Sequence, residues 1–331
     1  MHPSLAAAPR SSADLFAPVA ANLHEVERIL HETLDSTRPG VDRLIAHLAH
    51  YRGKRLRPAL LLLTARACGQ VGPAHHLLGA VVEMIHTATL VHDDVLDSAA
   101  VRRHAPTVNA EWGNQASILL GDYLFTHAFH LSSMLDDVQA CRLIGEATNR
   151  LCEGELHQIV QKGNLDLSEG DYFDIIDAKT AELTACSCRL GALYSGAGEG
   201  VVEQMGSYGR SLGIAFQIAD DLLDLVGDEQ TVGKSLGTDV DQQKLTLPII
   251  HLLNSAPLEQ AARVRAILQS PSPSRRSALA RELESSGAIA YARRRAEGFA
   301  ARAAADLDCL PPSECRTILE LLTDRVVNRS A

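Results

Sequence analysis

Val81-Val82-Glu83-Met84-Ile85-His86-Thr87-Ala88-Thr89-Leu90-Val91-His92-Asp93-Asp94-Val95-Leu96-Asp97 is a largely apolar run that closes on three carboxylates. Read as a helix at about 100° per residue, it puts Asp93 and Asp97 about 40° apart on one face, with His86 about 20° from Asp93 two turns earlier. Carboxylates one turn apart repel each other, and the flanking residues are apolar enough to be buried. Something positive must therefore neutralise the stripe.

A second segment, Phe216-Gln217-Ile218-Ala219-Asp220-Asp221-Leu222-Leu223-Asp224, repeats the pattern inside another apolar helical stretch. Gln217, Asp220 or Asp221, and Asp224 share a face there. One such acidic motif has an ordinary explanation as a solvated helix surface, whereas two copies in apolar helices do not. If the two helices confront each other across a cavity, the aspartates converge on it. Few neutral nitrogen or thiolate donors accompany them, so the ion they suit is hard and oxygen-seeking, with magnesium and a diphosphate substrate fitting best.

The rest of the chain agrees with a helical core. Among 331 residues Ala and Leu are abundant, aromatics make up only 4%, and β-branched runs are short, which predicts an all-α fold built as one large helical domain over residues 1–331. Residues 1–18 read as a loose tail, and residues 271–277 as the most loop-like segment, followed by an Arg-rich helical face over 278–307. A formal charge of −10 opposes a general nucleic-acid role, so any phosphate binding must be local or bridged by metal. The seven cysteines form no paired zinc or redox spacing, which suits a reducing cytoplasm. Neither a secretory signal nor an uncharged apolar stretch of about 18 residues is evident, so no transmembrane segment is expected.

Basic residues complete the pattern. Gly53-Lys54-Arg55-Leu56-Arg57-Pro58 opens an apolar helix, and Arg102-Arg103 follows the first acidic motif. With the aspartates they imply two anion sites, one bridged by metal and one bound directly by guanidinium and ammonium groups.

These segments, together with Gly121-Asp122-Tyr123-Leu124-Phe125, Lys179-Thr180, Gly233-Lys234 and Lys244-Leu245-Thr246-Leu247-Pro248, resemble in kind and order the motifs of trans-type polyprenyl diphosphate synthases. The resemblance implies a single bundle of the isoprenoid synthase type with a central cavity. It also implies a reaction that condenses an allylic diphosphate with isopentenyl diphosphate. By the same resemblance Asp93, Asp97 and Asp220 would hold about three magnesium ions bridging the allylic diphosphate, with Asp94, Asp221 and Asp224 in support. Arg102, Lys179 and Lys234 would contact that diphosphate, and Thr180 and Gln217 would lie near the reacting carbons. Lys54, Arg57, His86 and Arg103 would hold isopentenyl diphosphate without metal. A homodimer and a loose membrane association for product release are further expectations.

Product length should depend on what lies beneath the first acidic motif. A prenyl unit is slightly shorter than the helical pitch of about 5.4 Å, and Ala88 and Thr89, about 7 Å up the helix, are small where short-chain members of the resembled family place an aromatic. The stop should then lie deeper, at Ile85, Met84 or Val82, with Phe125, Phe129 or Leu131 reaching in from a neighbouring helix. The expected product has about six to ten prenyl units, of the kind used for quinone side chains. Against the family pattern, Val240-Asp241-Gln242-Gln243 stands where a basic, Gly-containing turn is common. Competing readings fit less well. A short-chain synthase should carry the missing aromatic, and a terpene cyclase needs no second diphosphate site and more aromatics. A metal phosphohydrolase would gather histidines at both clusters, and a noncatalytic subunit would have lost one of the acidic or basic motifs.

Overall fold

The structure is a computed structural model that describes residues 15–227, 237–270 and 275–328. Almost every regular element is a helix, and the sheet among the described residues is a single two-stranded hairpin. The all-α expectation therefore holds. Two compact units divide the described chain: residues up to Cys141 with Ser187–Val202 and Leu310–Leu319 form the first, and Arg142–Cys186, Glu203–Cys309 and the residues from Glu320 form the second.

In the first unit the helices are α1 (Ala20–Leu34), α2 (Val41–His47), α3 (Leu56–Cys68), α4 (Pro73–Leu96) and α5 (Val108–Ser132). Proline starts α4, where its missing amide costs nothing, and the Asp97 amide still donates to the Asp93 carbonyl at the other end. Val81, Val82, Met84, Ile85, Ala88 and Val91 are buried along this helix. Each large apolar side chain so enclosed contributes roughly 1.5–3 kcal/mol, which pins the helix that carries the first acidic motif. Leu60 to Leu63 of α3 are all buried, the mark of a helix surrounded on every side. After α4 comes the hairpin, with β1 (Val101–Arg102) paired to β2 (Ala105–Pro106). Arg103 and His104 form its turn with φ of 50° and 64°, the left-handed pair that a tight two-residue hairpin requires.

The second unit contains α6 (Gln139–Val160) from Arg142 onward, α7 (Glu169–Ile176), a π-helical turn (Asp177–Ala181), the start of α8 (Glu182–Tyr194) and most of α9 (Glu199–Val226). The short α10 (Thr238–Asp241) precedes α11 (Leu247–Ser255), α12 (Leu258–Gln269), α13 (Arg275–Ser286), α14 (Ala288–Asp306) and the end of α15 (Glu314–Val327). The π turn has a clear electrostatic support. It brings Asp177 and Glu182, five residues apart, to one side, where Arg150 and Arg210 bridge both carboxylates. Ser168 caps α7 reciprocally with Asp171, which sets the direction in which Tyr172 projects.

Two expectations are corrected. The loose tail does not extend to residue 18, because Leu15 and Phe16 are buried and the segment is helical from there; residues 1–14 lie outside the described ones. The loop expected over 271–277 is already helix at Arg275, while 271–274 lie outside the described residues. The Arg-rich face on α14 is mixed. Arg293 and Arg294 are exposed, but Arg295 pairs with Glu169 and lies 4.6 Å over the Phe173 ring.

Candidate active site

The first acidic motif splits by burial. Asp93 and Asp97 are half-exposed, whereas Asp94 has 0% of its surface accessible. Both Asp94 carboxylate oxygens are occupied: the Tyr51 hydroxyl donates to Oδ2 at 2.5 Å, and Arg102 donates to Oδ1 from Nε at 2.9 Å and Nη2 at 2.8 Å. Asp94 is thus a structural acid that carries a guanidinium. His92 turns away from the motif to the Ile118 carbonyl, and Gly121 leaves the room on α5 that its ring needs.

Around His86 the same unit gathers positive charge. Burial holds the His86 pKa well below the ordinary value, and Arg57, Arg103, Arg102 and Arg55 add to the effect. The four guanidiniums are not equivalent. Arg55 is bound by Glu27 and Glu83, and Arg102 by Asp94. Among the described residues Arg57 and Arg103 form no carboxylate pair, and Arg57 Nε is buried without a hydrogen-bond partner. Arg103 spends one donor on the Tyr51 carbonyl at 2.5 Å. Guanidiniums that form no carboxylate pair, beside an imidazole held neutral, are chemically suited to an anion, and exposed Lys54 lies in the loop entering the helix that carries Arg57. Because the folded His86 pKa is below the unfolded value of about 6.5, the unfolded chain binds more protons there, and stability falls as pH drops below that value. His86→Gln should therefore lose less thermal stability than the parent between pH 7 and about 5.5. Identical losses in melting curves would contradict this.

Four of the candidate length-setting residues, Ala88, Thr89, Ile85 and Met84, do not share one environment. Ile85 and Ala88 are enclosed by the protein, Thr89 is half-buried with its hydroxyl donating to the His86 carbonyl, and Met84 faces elsewhere. Met84, Thr87 and Leu124 border a cavity of about 510 Å³ whose rim carries Glu27, Arg55 and Glu83. Thr89 alone of the four lies near the Asp93 face and is not sealed.

In the second unit the same division recurs. Asp220 is half-buried, while Asp221 and Asp224 are 5% and 3% exposed. Tyr172 donates to Asp221 Oδ2 at 2.6 Å and Gln217 to Oδ1 at 2.7 Å, and Thr180 in turn donates to Gln217 at 2.9 Å. Burial raises the Asp221 pKa well above the usual range, Asp239 adds to this, and the two hydrogen bonds oppose it. Asp224 accepts from the Thr238 hydroxyl at 3.0 Å and the Asp239 amide at 3.2 Å, so it anchors the start of α10. Lys179 leaves the π turn to reach Glu155 at 2.7 Å and Gln158 at 3.1 Å. Lys179, Thr180, Gln217 and Asp221 border a small cavity of about 100 Å³ with Tyr172, Asp239 and Lys244. Gly233 and Lys234 lie outside the described residues. The atypical Val240–Gln243 segment is ordered by backbone bonds: Gln243 takes φ of 58°, the conformation a glycine would supply, and its carbonyl accepts from Gly163.

Among the described residues no three or more His, Cys, Asp or Glu side chains converge as a metal cage. Asp93 and Asp97 in the first unit, and Asp220 in the second, are less buried than the neighbouring acids, and their carboxylate oxygens are donors of the type that suits magnesium. Tyr51, Tyr172 and Glu155 were not anticipated, because a lone aromatic or acid gives no periodic signal of a partner 24 to 49 residues away.

Comparison with known proteins identifies the family. The family model for polyprenyl synthetase matches residues 38–284. The octaprenyl diphosphate synthase of Escherichia coli K12 is 35% identical over 94% of this chain and 96% of its own. A decaprenyl diphosphate synthase crystal structure from Rhodobacter capsulatus matches with a TM-score of 0.89 at 35% identity, covering 96% of this chain and 99% of that one. A polyprenyl synthase from Caulobacter crescentus, solved with calcium and isoprenyl diphosphate, matches with a TM-score of 0.90 at 35% identity, covering 98% of this chain and all of that one. With a family-model match over residues 38–284 and a 35% identical relative across 94% of its length, the chain belongs to the polyprenyl synthetase family.

Proposed function

We propose that the whole chain acts as one synthase domain that condenses an allylic diphosphate with successive isopentenyl diphosphates to a long all-trans polyprenyl diphosphate. The observation that carries this reading is the pair of guanidiniums, Arg57 and Arg103, that form no carboxylate pair among the described residues beside neutral His86, with Arg57 Nε buried and without a hydrogen-bond partner. They suit a diphosphate bound without metal, the ligand a chain-elongating enzyme needs and a cyclase does not. Asp93, Asp97 and Asp220 are the magnesium ligands in this reading, about three ions serving each site. Bound magnesium neutralises charge on the departing diphosphate.

The protein's own groups do the rest. Arg102, Lys179 and Lys234 hold the allylic diphosphate while its carbon–oxygen bond breaks, and Lys54, Arg57, His86 and Arg103 fix the second substrate so that its double bond meets the allylic cation. A new carbon–carbon bond forms, and the proton is lost to the released diphosphate. Thr180 and Gln217, hydrogen-bonded to each other, present neutral dipoles near the cation. Small Ala88 and Thr89 favour a long product, in line with the octaprenyl and decaprenyl relatives.

Two copies are proposed to pair through α5, where Ile118, Leu119 and Phe129 are exposed, Leu119 to 59%. No helix among the described residues is long and apolar enough to cross a membrane, and a cytoplasmic enzyme that hands its product to a bilayer fits the reading. Incubation with labelled isopentenyl diphosphate, magnesium and farnesyl diphosphate should yield products of about six to ten units, the length the small residues above Asp93 allow. Products no longer than geranylgeranyl diphosphate would contradict the long-chain assignment.

A further inference from the structure

We infer that Tyr51 is a positioning residue for the allylic diphosphate, acting through Asp94 on Arg102; this rests on the synthase reading above. Tyr51 is buried at the end of a short 3₁₀ turn, Leu48–Tyr51, directly before the basic loop. Its hydroxyl donates to Asp94 Oδ2 and accepts the Val108 amide at 3.2 Å, so both of its hydrogen-bonding roles are satisfied. Its carbonyl accepts from Arg103, and two residues later Gly53 lies so close that a Cβ would meet the Arg103 guanidinium at 2.6 Å. One residue therefore touches the two arginines' supports by different atoms. The side chain braces the acid that aims Arg102, and the main chain braces Arg103 directly.

That separation matters because Asp94 is wholly buried, and a buried carboxylate keeps one orientation only while all its donors are present. Burial, and next the bond to Asp94, push the Tyr51 phenol pKa up, which keeps its proton in place as the donor. Without the hydroxyl, Asp94 can rotate and Arg102 loses its fixed direction. The Arg103 bond to the carbonyl survives the same change.

Tyr51→Phe is the corresponding variant, and calorimetry supplies the readout without turnover. Binding of an unreactive thiolo analogue of farnesyl diphosphate with magnesium should weaken about tenfold, the loss of one hydrogen bond to a charged group. Binding of isopentenyl diphosphate without metal should stay within about twofold, because the bond to Arg103 is made by the main chain. In a double-mutant cycle, Tyr51→Phe should add little to Arg102→Lys. Equal weakening of both ligands, no weakening of either, or additive effects would each overturn the inference. A parent protein that binds neither ligand would instead remove the synthase reading and this one with it. If Tyr51→Phe does not fold, Asp94→Asn reads the same link: the analogue should again weaken about tenfold at unchanged magnesium dependence, and unchanged affinity would overturn the proposal.

Discussion

Asp93→Ala and Asp220→Ala are each expected to lower kcat at least about 10³-fold, equivalent to about 4 kcal/mol of transition-state stabilisation, with the fold intact. Both side chains are half-buried, unlike the fully buried Asp94. The departing diphosphate loses its counter-charge, and ionisation of the allylic carbon slows. Asp94→Ala should look different. Removing it leaves the buried Tyr51 hydroxyl without its acceptor and part-exposed Arg102 without its carboxylate, which costs about 1–3 kcal/mol of folding stability. Thermal melting beside single-turnover kinetics separates the two classes: an Asp93→Ala protein that melts early with near-normal kcat would reverse the assignment.

Thr89→Phe is expected to change the product more than any substitution at the other candidate positions. Thr89 lies about 40° from Asp93 around α4, roughly one turn along it, and is not enclosed. An aromatic ring there blocks a chain growing along the helix, so products should fall well short of the parent's length, since each prenyl unit advances nearly one helical pitch. Ala88 is enclosed by protein, so Ala88→Phe should also cost about 1–3 kcal/mol in overpacking. Met84 borders a cavity on another face, and its replacement should leave product length nearly unchanged. Thin-layer sizing of dephosphorylated products distinguishes these outcomes, and a Thr89→Phe enzyme making full-length product would discard the passage.

The helical architecture was legible because apolar spacing and scarce β-branched residues act locally. The resemblance assigns the acids as three ligands and three supports, and burial sets apart the three supports, with Asp94, Asp221 and Asp224 sealed. What remained hidden depends on long-range pairing. Tyr51 and Tyr172 carry no period that announces an aspartate partner, and the pairing of Arg102 with Asp94 requires the hairpin turn at Arg103 and His104 to fold the chain back. Likewise the face of α4 that each small residue occupies follows from the spacing, but which face is sealed does not. Ala88 and Thr89 look equivalent as letters and differ in enclosure.

The proposed part of each acidic motif in holding a metal-bound allylic diphosphate is tested by titrating the unreactive farnesyl analogue into the parent, Asp93→Ala and Asp220→Ala proteins, with and without magnesium. Magnesium should tighten binding at least about tenfold in the parent and in neither variant, while metal-free isopentenyl diphosphate binds all three alike. A variant that keeps the full magnesium effect would show that its motif does not hold the diphosphate.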